Sequence, residues 1–257
     1  MQDATPDKII SNMARPGQRP SRARFAMLGL IATGTLVNYL DRTVLGIAAP
    51  ALTKELAINS AVMGIVFSAF SWSYAASQVP GGLFLDRFGT RLTYALSVGF
   101  WSLFTLLHSL VGGLASLLGL RLALGIAEAP CFPANSRVVA TWFPQSERAF
   151  ATGVYTVGEY IGLAFLSPVL FWLLAHYGWR SLFIVCGTLG FTFVLAWIAK
   201  YREPSKHKRV NAAELALIEA GGGLVGGAGN TGRINWRNAG RLLHFRQMWV
   251  ICLGQFA

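Results

Sequence analysis

Six long apolar runs dominate this sequence. They occupy residues 25–51, 60–85, 92–110, 114–139, 149–175 and 182–199, and short connections separate them. A helix needs about 20 apolar residues to cross the hydrocarbon core of a bilayer. Helices and closed barrels are the structures that satisfy every backbone polar group in that environment. The runs therefore predict an all-α membrane protein in which six helices cross the bilayer.

The remaining composition agrees with a membrane protein. Charged residues make up 13% of the chain, about half of the roughly 25% that is usual in soluble domains. Residues 25–37 could be the apolar region of a signal peptide behind a basic tail, but apolar character resumes after Arg42 and five more runs follow. Cys131, Cys186 and Cys252 stand in apolar surroundings without paired spacing, so we interpret them as core residues rather than disulfides or metal ligands.

The net charge of +11 is distributed unevenly along the chain. If the N-terminus lies inside, the basic residues between the spans fall in inner segments, with the exceptions of Lys54 and Arg180. An excess of Lys and Arg in cytoplasmic segments sets the orientation of membrane proteins. The pattern predicts a cytoplasmic N-terminus, and it accounts for the basic charge without a nucleic-acid partner.

The predicted spans divide the chain into four parts. Residues 1–24 are expected to be a disordered cytoplasmic tail, 25–200 a six-helix transmembrane bundle, and 201–246 a cytoplasmic central loop. Within that loop, Asn211 and Glu214 have the spacing of a capping box that opens a short helix to Ala220. Residues 247–257 are expected to begin a seventh span that is cut off inside an apolar run.

Five charged residues stand inside the predicted spans: Asp41, Arg42, Arg121, Glu128 and Glu159. Each costs about 2.5 to 3.5 kcal/mol at the centre of a membrane helix. Residues this costly normally line a bundle interior or an aqueous cavity and mark a transport pathway. The alternative is that Asp41 and Arg42 neutralise each other as a structural pair, which leaves the other three unexplained.

Helical spacing places these charges on polar stripes. Arg121, Gly125 and Glu128 lie at i, i+4 and i+7, so they share one face of the fourth span. Two further stripes are Ser71, Tyr74, Gln78 and Gly81 in the second span, and Thr152, Tyr155, Glu159 and Gly162 in the fifth. We expect these stripes to line one cavity at mid-membrane depth. The first three spans also repeat the pattern of the second three, as in transporters built from inverted three-helix repeats.

Two motifs carry a resemblance to a known family. Gly82 to Arg91 reads "GLFLDRFGTR", which matches G-x-x-x-D-R-x-G-x-R, the signature loop of the major facilitator superfamily. Residues 121–148, "RLALGIAEAPCFPANSRVVATWFPQSER", closely resemble the anion:cation symporter branch, which includes bacterial sugar-acid transporters such as D-galactonate carriers. The resemblance covers residues 25–257. It implies a fold of twelve helices in two halves, of which this chain is the N-terminal half, truncated in the seventh helix.

The resemblance also implies roles for individual residues. Asp41 and Glu128 correspond to the proton-coupling pair of the branch. Substrate binding is expected of Tyr39, Arg42, Tyr74, Arg121 and Glu159. The residues expected to face the second half are Asp41, Tyr74, Arg121, Glu128 and Glu159. At the Glu159 position a galactonate-type carrier is expected to have glutamine, so this acid either puts the exact substrate in doubt or adds a third protonatable group. The inner gate loop would comprise Gly82, Asp86, Arg87, Gly89 and Arg91.

The function that these residues imply is proton-coupled symport of a small organic anion by alternating access. A sugar acid such as galactonate, glucarate or hexuronate is the expected substrate, and another carboxylate is the nearest alternative. A non-transporting membrane sensor and an inactive fragment remain open. We expect no enzyme activity, metal or cofactor, with the proton as coupling ion. The expected location is the bacterial inner membrane, and the expected partners are the lipid bilayer and a C-terminal six-helix half.

Overall fold

The computed structural model describes residues 19–225 and 245–246. The predictions for the tail before residue 19, for most of the loop after residue 225, for Cys252 and for the seventh span lie outside the described residues. Residues 19–225 belong to one compact unit, whereas Phe245 and Arg246 fall in a second unit. The architecture below is that of the first unit.

The unit is built from helices, as the apolar runs predict. In chain order they are α1 Ala23–Glu55, α2 Ser60–His108, α3 Leu114–Glu128, α4 Cys131–Trp142, α5 Gln145–Ile161, α6 Ser167–Tyr177, α7 Trp179–Lys200 and α8 Ala212–Ala220. A π-helical turn, Gly162–Leu166, connects α5 to α6, and a 3-10 turn, Pro204–Lys206, follows α7. The predicted short helix in the central loop is therefore confirmed as α8.

Within residues 19–225 and 245–246, four helical segments are long and apolar enough to cross a membrane, namely Ala23–Glu55, Leu114–Trp142, Gln145–Tyr177 and Trp179–Lys200. The sequence predicts two more spans within the 49 residues of α2. Gly89 divides α2 into two arms there, because its φ of 75° is not helical. Glycine adopts positive φ without the steric cost that a Cβ atom brings. Each arm corresponds to one predicted span, so the unit has the six predicted helical spans.

Two apolar clusters fill the interior. One contains Met27 and Ile31 of α1 together with aromatic residues such as Trp197. The other contains Val44 and Leu45 of α1, farther along the same helix. Asp41 and Arg42 stand on α1 within the part that enters the second cluster, between Leu40 and Val44. These two charged residues therefore have apolar neighbours on both sides along the helix.

Ion pairs tie the helices together at both ends of the bundle. At one end, Arg24 pairs with Glu147 of α5 at 2.9 Å and with the buried Glu214 of α8 at 3.2 Å. At the other end, Glu55 pairs with Arg180 at 2.7 Å. We call the first set, Arg24, Glu147 and Glu214, the Arg24 clamp. It connects the central loop directly to the helical bundle.

Glu214 also caps a helix other than its own. Its carboxylate accepts hydrogen bonds from the backbone N–H groups of Ala23 and Arg24, both at 3.1 Å. These are among the unsatisfied donors that every helix N-terminus has. The predicted cap by Asn211 is present, since its Oδ1 accepts from the Glu214 N–H at 2.9 Å. The Glu214 side chain, however, accepts hydrogen bonds from the N-terminus of α1 instead of its own helix.

The predicted tail boundary at residue 24 needs correction, because residues 23 and 24 already belong to α1.

Glu214→Gln should destabilise the unit strongly. The substitution keeps the shape of the side chain but leaves the buried Arg24 guanidinium without one of its two carboxylates. Removing one partner of a buried ion pair costs about 3 to 5 kcal/mol. Thermal unfolding of the purified protein in detergent should show a much lower midpoint. Glu219→Gln is the control on the same helix and should change little; equal midpoints for the two variants would contradict this account of the clamp.

Candidate functional site

An ion pair between α1 and α3 forms the centre of the site. The Arg42 Nε atom donates to Glu128 Oε2 at 2.9 Å. The Glu128 side chain is fully buried, whereas 25% of the Arg42 side chain is exposed. Both residues were expected in the site from the sequence. The structure adds that they contact each other and that Arg42 is the partly exposed member of the pair.

Four aromatic rings surround the Arg42 guanidinium. Its Cζ atom lies 4.8 Å from the ring centroid of Tyr74, 5.1 Å from Phe70, 5.3 Å from Tyr39 and 5.9 Å from Phe132. Cations are attracted to the negative face of such rings, by up to about 2 kcal/mol when water is excluded. We call these four residues the aromatic cage. It holds the Arg42 charge in place without a second carboxylate.

Sequence reasoning identified Tyr39 and Tyr74 but missed Phe70 and Phe132. The signal for Phe70 was its position four residues before Tyr74, on the same helical face. Phe132 likewise follows Glu128 by four residues, but a break between α3 and α4 separates them. Only the folded chain shows that Glu128 and Phe132 both contact the Arg42 guanidinium despite this break.

Asp41 does not pair with its neighbour Arg42, so the structural-pair alternative is not supported. Successive residues of a helix point about 100° apart, and the two side chains therefore diverge. Asp41 is only 2% exposed and lies close to Trp101 and Thr105 of α2. Within the described part of the chain, neither carboxylate oxygen accepts a hydrogen bond. A buried anion without donors is costly, and protonation removes that cost.

Arg121 lies on α3, about two turns before Glu128 on the same helical face. It is 4% exposed, and its Cζ atom lies 5.4 Å from the Phe70 ring. Among residues 19–225 no carboxylate lies within 4.0 Å of it. Gly125 makes this arrangement possible, because a Cβ atom there would lie 2.6 Å from the Phe70 carbonyl oxygen. The small residue thus lets α3 approach α2 closely.

Glu159 lies at the edge of the site on α5. Its carboxylate is close to the Tyr39 hydroxyl, a member of the aromatic cage. The residue is 8% exposed, and no ion pair involving it occurs within the described ranges. The π-helical turn at Gly162 begins directly after this helix. Such turns inside helices are frequent at functional sites.

The structure corrects one expectation about the direction of these side chains. The residues expected to face the second half of the fold were Asp41, Tyr74, Arg121, Glu128 and Glu159. The four charged residues among them are instead buried inside the six-helix unit. Arg42, Tyr39 and Tyr74 are only partly buried. The reason is that α3 packs its charged face against α1 and α2, so Arg42 and the cage tyrosines form the accessible part of the site.

The predicted gate loop makes contacts inside the unit. Asp86 pairs with Arg137 of α4 at 3.1 Å, a partner that sequence reasoning missed. Arg91 donates through Nη2 to the carbonyl of Ile198 at 2.8 Å. Arg87 lies over the Phe88 ring, Gly89 provides the turn, and Gly82 stands on α2 with open space beside it. The loop thus binds the middle of α4 and the C-terminal end of α7, and any contact with a second half remains a prediction.

The sequence is similar to known membrane transporters. Residues 31–257 match the family described as Major Facilitator Superfamily. A D-galactonate transporter of Escherichia coli O6:H1 is 42% identical over 257 residues, covering 97% of this chain and 58% of that protein. A probable galactarate/D-glucarate transporter of Bacillus subtilis is 42% identical over 216 residues, covering 82% of this chain and 48% of that protein. The chain therefore spans about half the length of the curated relatives it matches.

A solved structure shows the same fold. It is the crystal structure of a bacterial homologue of the human lysosomal transporter Spinster, in an inward-facing and occupied conformation. It superposes with a TM-score of 0.62 and 27% sequence identity, over 73% of this chain and 46% of that chain. The six-helix unit thus corresponds to about half of that transporter.

The contact between Arg42 and Glu128 should be measurable as a coupling free energy. In a double-mutant cycle with Arg42→Gln and Glu128→Gln, residues in contact show about 0.5 to 3 kcal/mol of non-additivity. The free energy of unfolding in mixed micelles is the measurement. Arg42→Gln combined with Asp41→Asn is the control, because these sequence neighbours make no ion pair, and it should be closer to additive. Equal coupling in both cycles would contradict the geometry.

Proposed function

The chain belongs to the Major Facilitator Superfamily, and on that premise we propose that it supplies the first half of a proton-coupled sugar-acid symporter. The Arg42–Glu128 pair inside the aromatic cage is the observation that carries this proposal. It provides a fixed cation next to a buried group that can bind a proton. The relatives that transport D-galactonate and, probably, galactarate or D-glucarate support a sugar acid as the substrate class.

In the proposed cycle, Glu128 and the substrate compete for Arg42. When Glu128 takes up a proton, its charge attraction to Arg42 is lost. The guanidinium stays in the aromatic cage, where its exposed side can then bind the carboxylate of a sugar acid. An arginine fork matches a carboxylate in shape and charge. Proton binding and anion binding thereby become linked at one side chain.

Asp41 is proposed as a second proton-binding group. It is buried next to Trp101 and Thr105, on a face of α1 about 100° from that of Arg42. Ionised, it shares the interior with the cations of Arg42 and Arg121 and with the Glu128 anion. These four charges balance, and the Glu159 carboxylate at the edge of the site adds one negative charge, so an added substrate anion needs a proton to offset it. Such a balance favours uptake of substrate and proton together.

Glu159 is proposed to influence which sugar acid is accepted. Its carboxylate lies beside Tyr39, at the edge of the proposed substrate position. A second carboxylate on the substrate would be repelled if it approached Glu159, since like charges at close range are unfavourable. A sugar acid with one carboxylate therefore fits this chain better than a diacid. Tyr39 and Tyr74 are proposed to hydrogen-bond its hydroxyl groups.

We assign the Arg24 clamp and the gate loop to the cytoplasmic end, and Glu55 with Arg180 to the outer end. This orientation follows from the excess of basic residues at the first end. Alternating access would then move this unit against a second six-helix half, with the site near the middle of the membrane. The inner membrane of a bacterium is the proposed location.

Uptake assays test the coupling directly. Residues 1–257 can be fused to the remaining part of the E. coli D-galactonate transporter and reconstituted in proteoliposomes with an imposed proton gradient. We expect accumulation of galactonate above that of galactarate. Glu128→Gln and Asp41→Asn should each abolish uphill uptake, because an amide keeps the shape of a carboxyl group but binds no proton. Glu219→Gln is the control and should transport normally.

Exchange of bound substrate should survive in at least one of the two carboxylate variants. Arg121→Ala should instead weaken substrate binding itself. Proton-driven accumulation that persists in both Glu128→Gln and Asp41→Asn would overturn the mechanism. A fusion that folds but transports none of the sugar acids would overturn the proposed function as a whole and favour a non-transporting role.

The orientation can be tested by cysteine labelling. After replacement of the native cysteines, single cysteines are introduced at positions 54 and 209. A membrane-impermeant thiol reagent added to intact cells should label position 54 and leave position 209 unlabelled. Disrupting the cells should expose position 209 and serves as the control. Labelling of position 209 in intact cells would reverse the assigned orientation.

A further inference from the structure

A groove outside the candidate site runs between the start of α1 and the segment after α7. Its volume is about 690 Å³. The groove is lined by Ala26, Met27, Gly29, Leu30 and Thr33 on one side and by Ala199, Lys200, Arg202, Lys206, His207, Lys208 and Arg209 on the other. We call it the cationic groove. One wall is formed by α1 and is mostly apolar, and the other carries positive charge.

The charged wall has no acidic residue among its lining side chains. Lys206, Lys208 and Arg209 are exposed, and none of these three forms an ion pair with residues 19–225. Burial, Arg209 and Arg202 lower the pKa of His207, while Glu214 opposes them. Burial is the largest of these causes, and the two arginines add positive charge beside the imidazole. An anion placed there would relieve repulsion among these groups.

The apolar wall distinguishes this groove from a simple anion site. Gly29 leaves open space, because a Cβ atom added there would meet nothing within 4 Å. Leu30 and Met27 stand beside it on the same helix. Lys200 ends α7, the last membrane-spanning helix of the unit. The groove therefore combines a basic wall at the membrane surface with an apolar wall on a transmembrane helix.

We propose that the cationic groove binds an anionic phospholipid, with its phosphate at Lys206, Lys208 and Arg209 and an acyl chain along α1 at Gly29. Basic pockets between transmembrane helices at the cytoplasmic side bind lipids of this charge. A lipid bound here contacts both α1 and the linker that leads to α8. It would therefore strengthen the connection that the Arg24 clamp makes between the central loop and the bundle.

Lipid binding can be measured on the purified chain 1–257 in detergent by native mass spectrometry. The probes are phosphatidylglycerol, phosphatidylcholine and inorganic phosphate. We expect retention of phosphatidylglycerol and a higher unfolding temperature in its presence, with little effect of phosphatidylcholine. Inorganic phosphate should not compete at millimolar concentration. Equal binding of both lipids, or displacement of the lipid by phosphate, would overturn the proposal.

Matched variants separate the two walls. Lys206→Gln/Lys208→Gln should weaken phosphatidylglycerol binding about 25-fold, since each basic side chain near an anionic lipid contributes roughly a fivefold factor. Lys54→Gln/Arg87→Gln removes the same charge elsewhere and should have little effect. Gly29→Leu should weaken binding by filling the apolar wall, whereas Gly46→Leu on the same helix, which also has open space, should not. Unchanged binding in Lys206→Gln/Lys208→Gln, or in Gly29→Leu, would contradict the groove as the site.

Discussion

The ion pair between Arg42 and Glu128 holds two charges in an interior where neither is stable alone. Taking an ion out of water costs several kcal/mol even after the surroundings relax. The pair offsets part of that cost by its 2.9 Å contact, and the aromatic cage adds attraction to the guanidinium. Any event that neutralises Glu128 changes this balance, and Arg42 then needs a new anion. The proposed symport follows from that requirement.

The surrounding structure keeps this balance intact. Apolar residues flank the charged residues along α1, because Leu40 and Val44 on either side of Asp41 and Arg42 belong to one apolar cluster, and Met27 and Ile31 earlier in the helix belong to the other. Gly125 brings α3 close enough to place Arg121 beside Phe70. At the ends, the Arg24 clamp and the pair of Glu55 with Arg180 fix α1 against its neighbours. The helices that carry the charges are therefore held in position, while Arg42 keeps one side accessible.

Sequence reasoning found the residues of the site but not all of their relations. It identified Asp41, Arg42, Arg121, Glu128 and Glu159 because a charged residue in a membrane span has a high free-energy cost wherever it occurs. It could not choose a partner for each, since helical periodicity gives the face of a residue but not the helix opposite. The expectation that Asp41, Arg121, Glu128 and Glu159 face a second half was wrong for this reason. Phe70, Phe132 and Arg137 were missed because aromatic and basic residues at such positions have many ordinary roles.

The sequence by itself determined the helical class, the membrane environment, the short helix α8 and the inventory of buried charges. These follow from local quantities, namely the length of each apolar run, the capping residues and the cost of each charge. Only the tertiary structure decided that Arg42 binds Glu128 rather than Asp41, and that Glu214 caps α1 rather than its own helix. Both choices depend on atoms brought together over 86 and 190 residues of chain. Contacts at such separations are set by how whole helices pack, which no local pattern encodes.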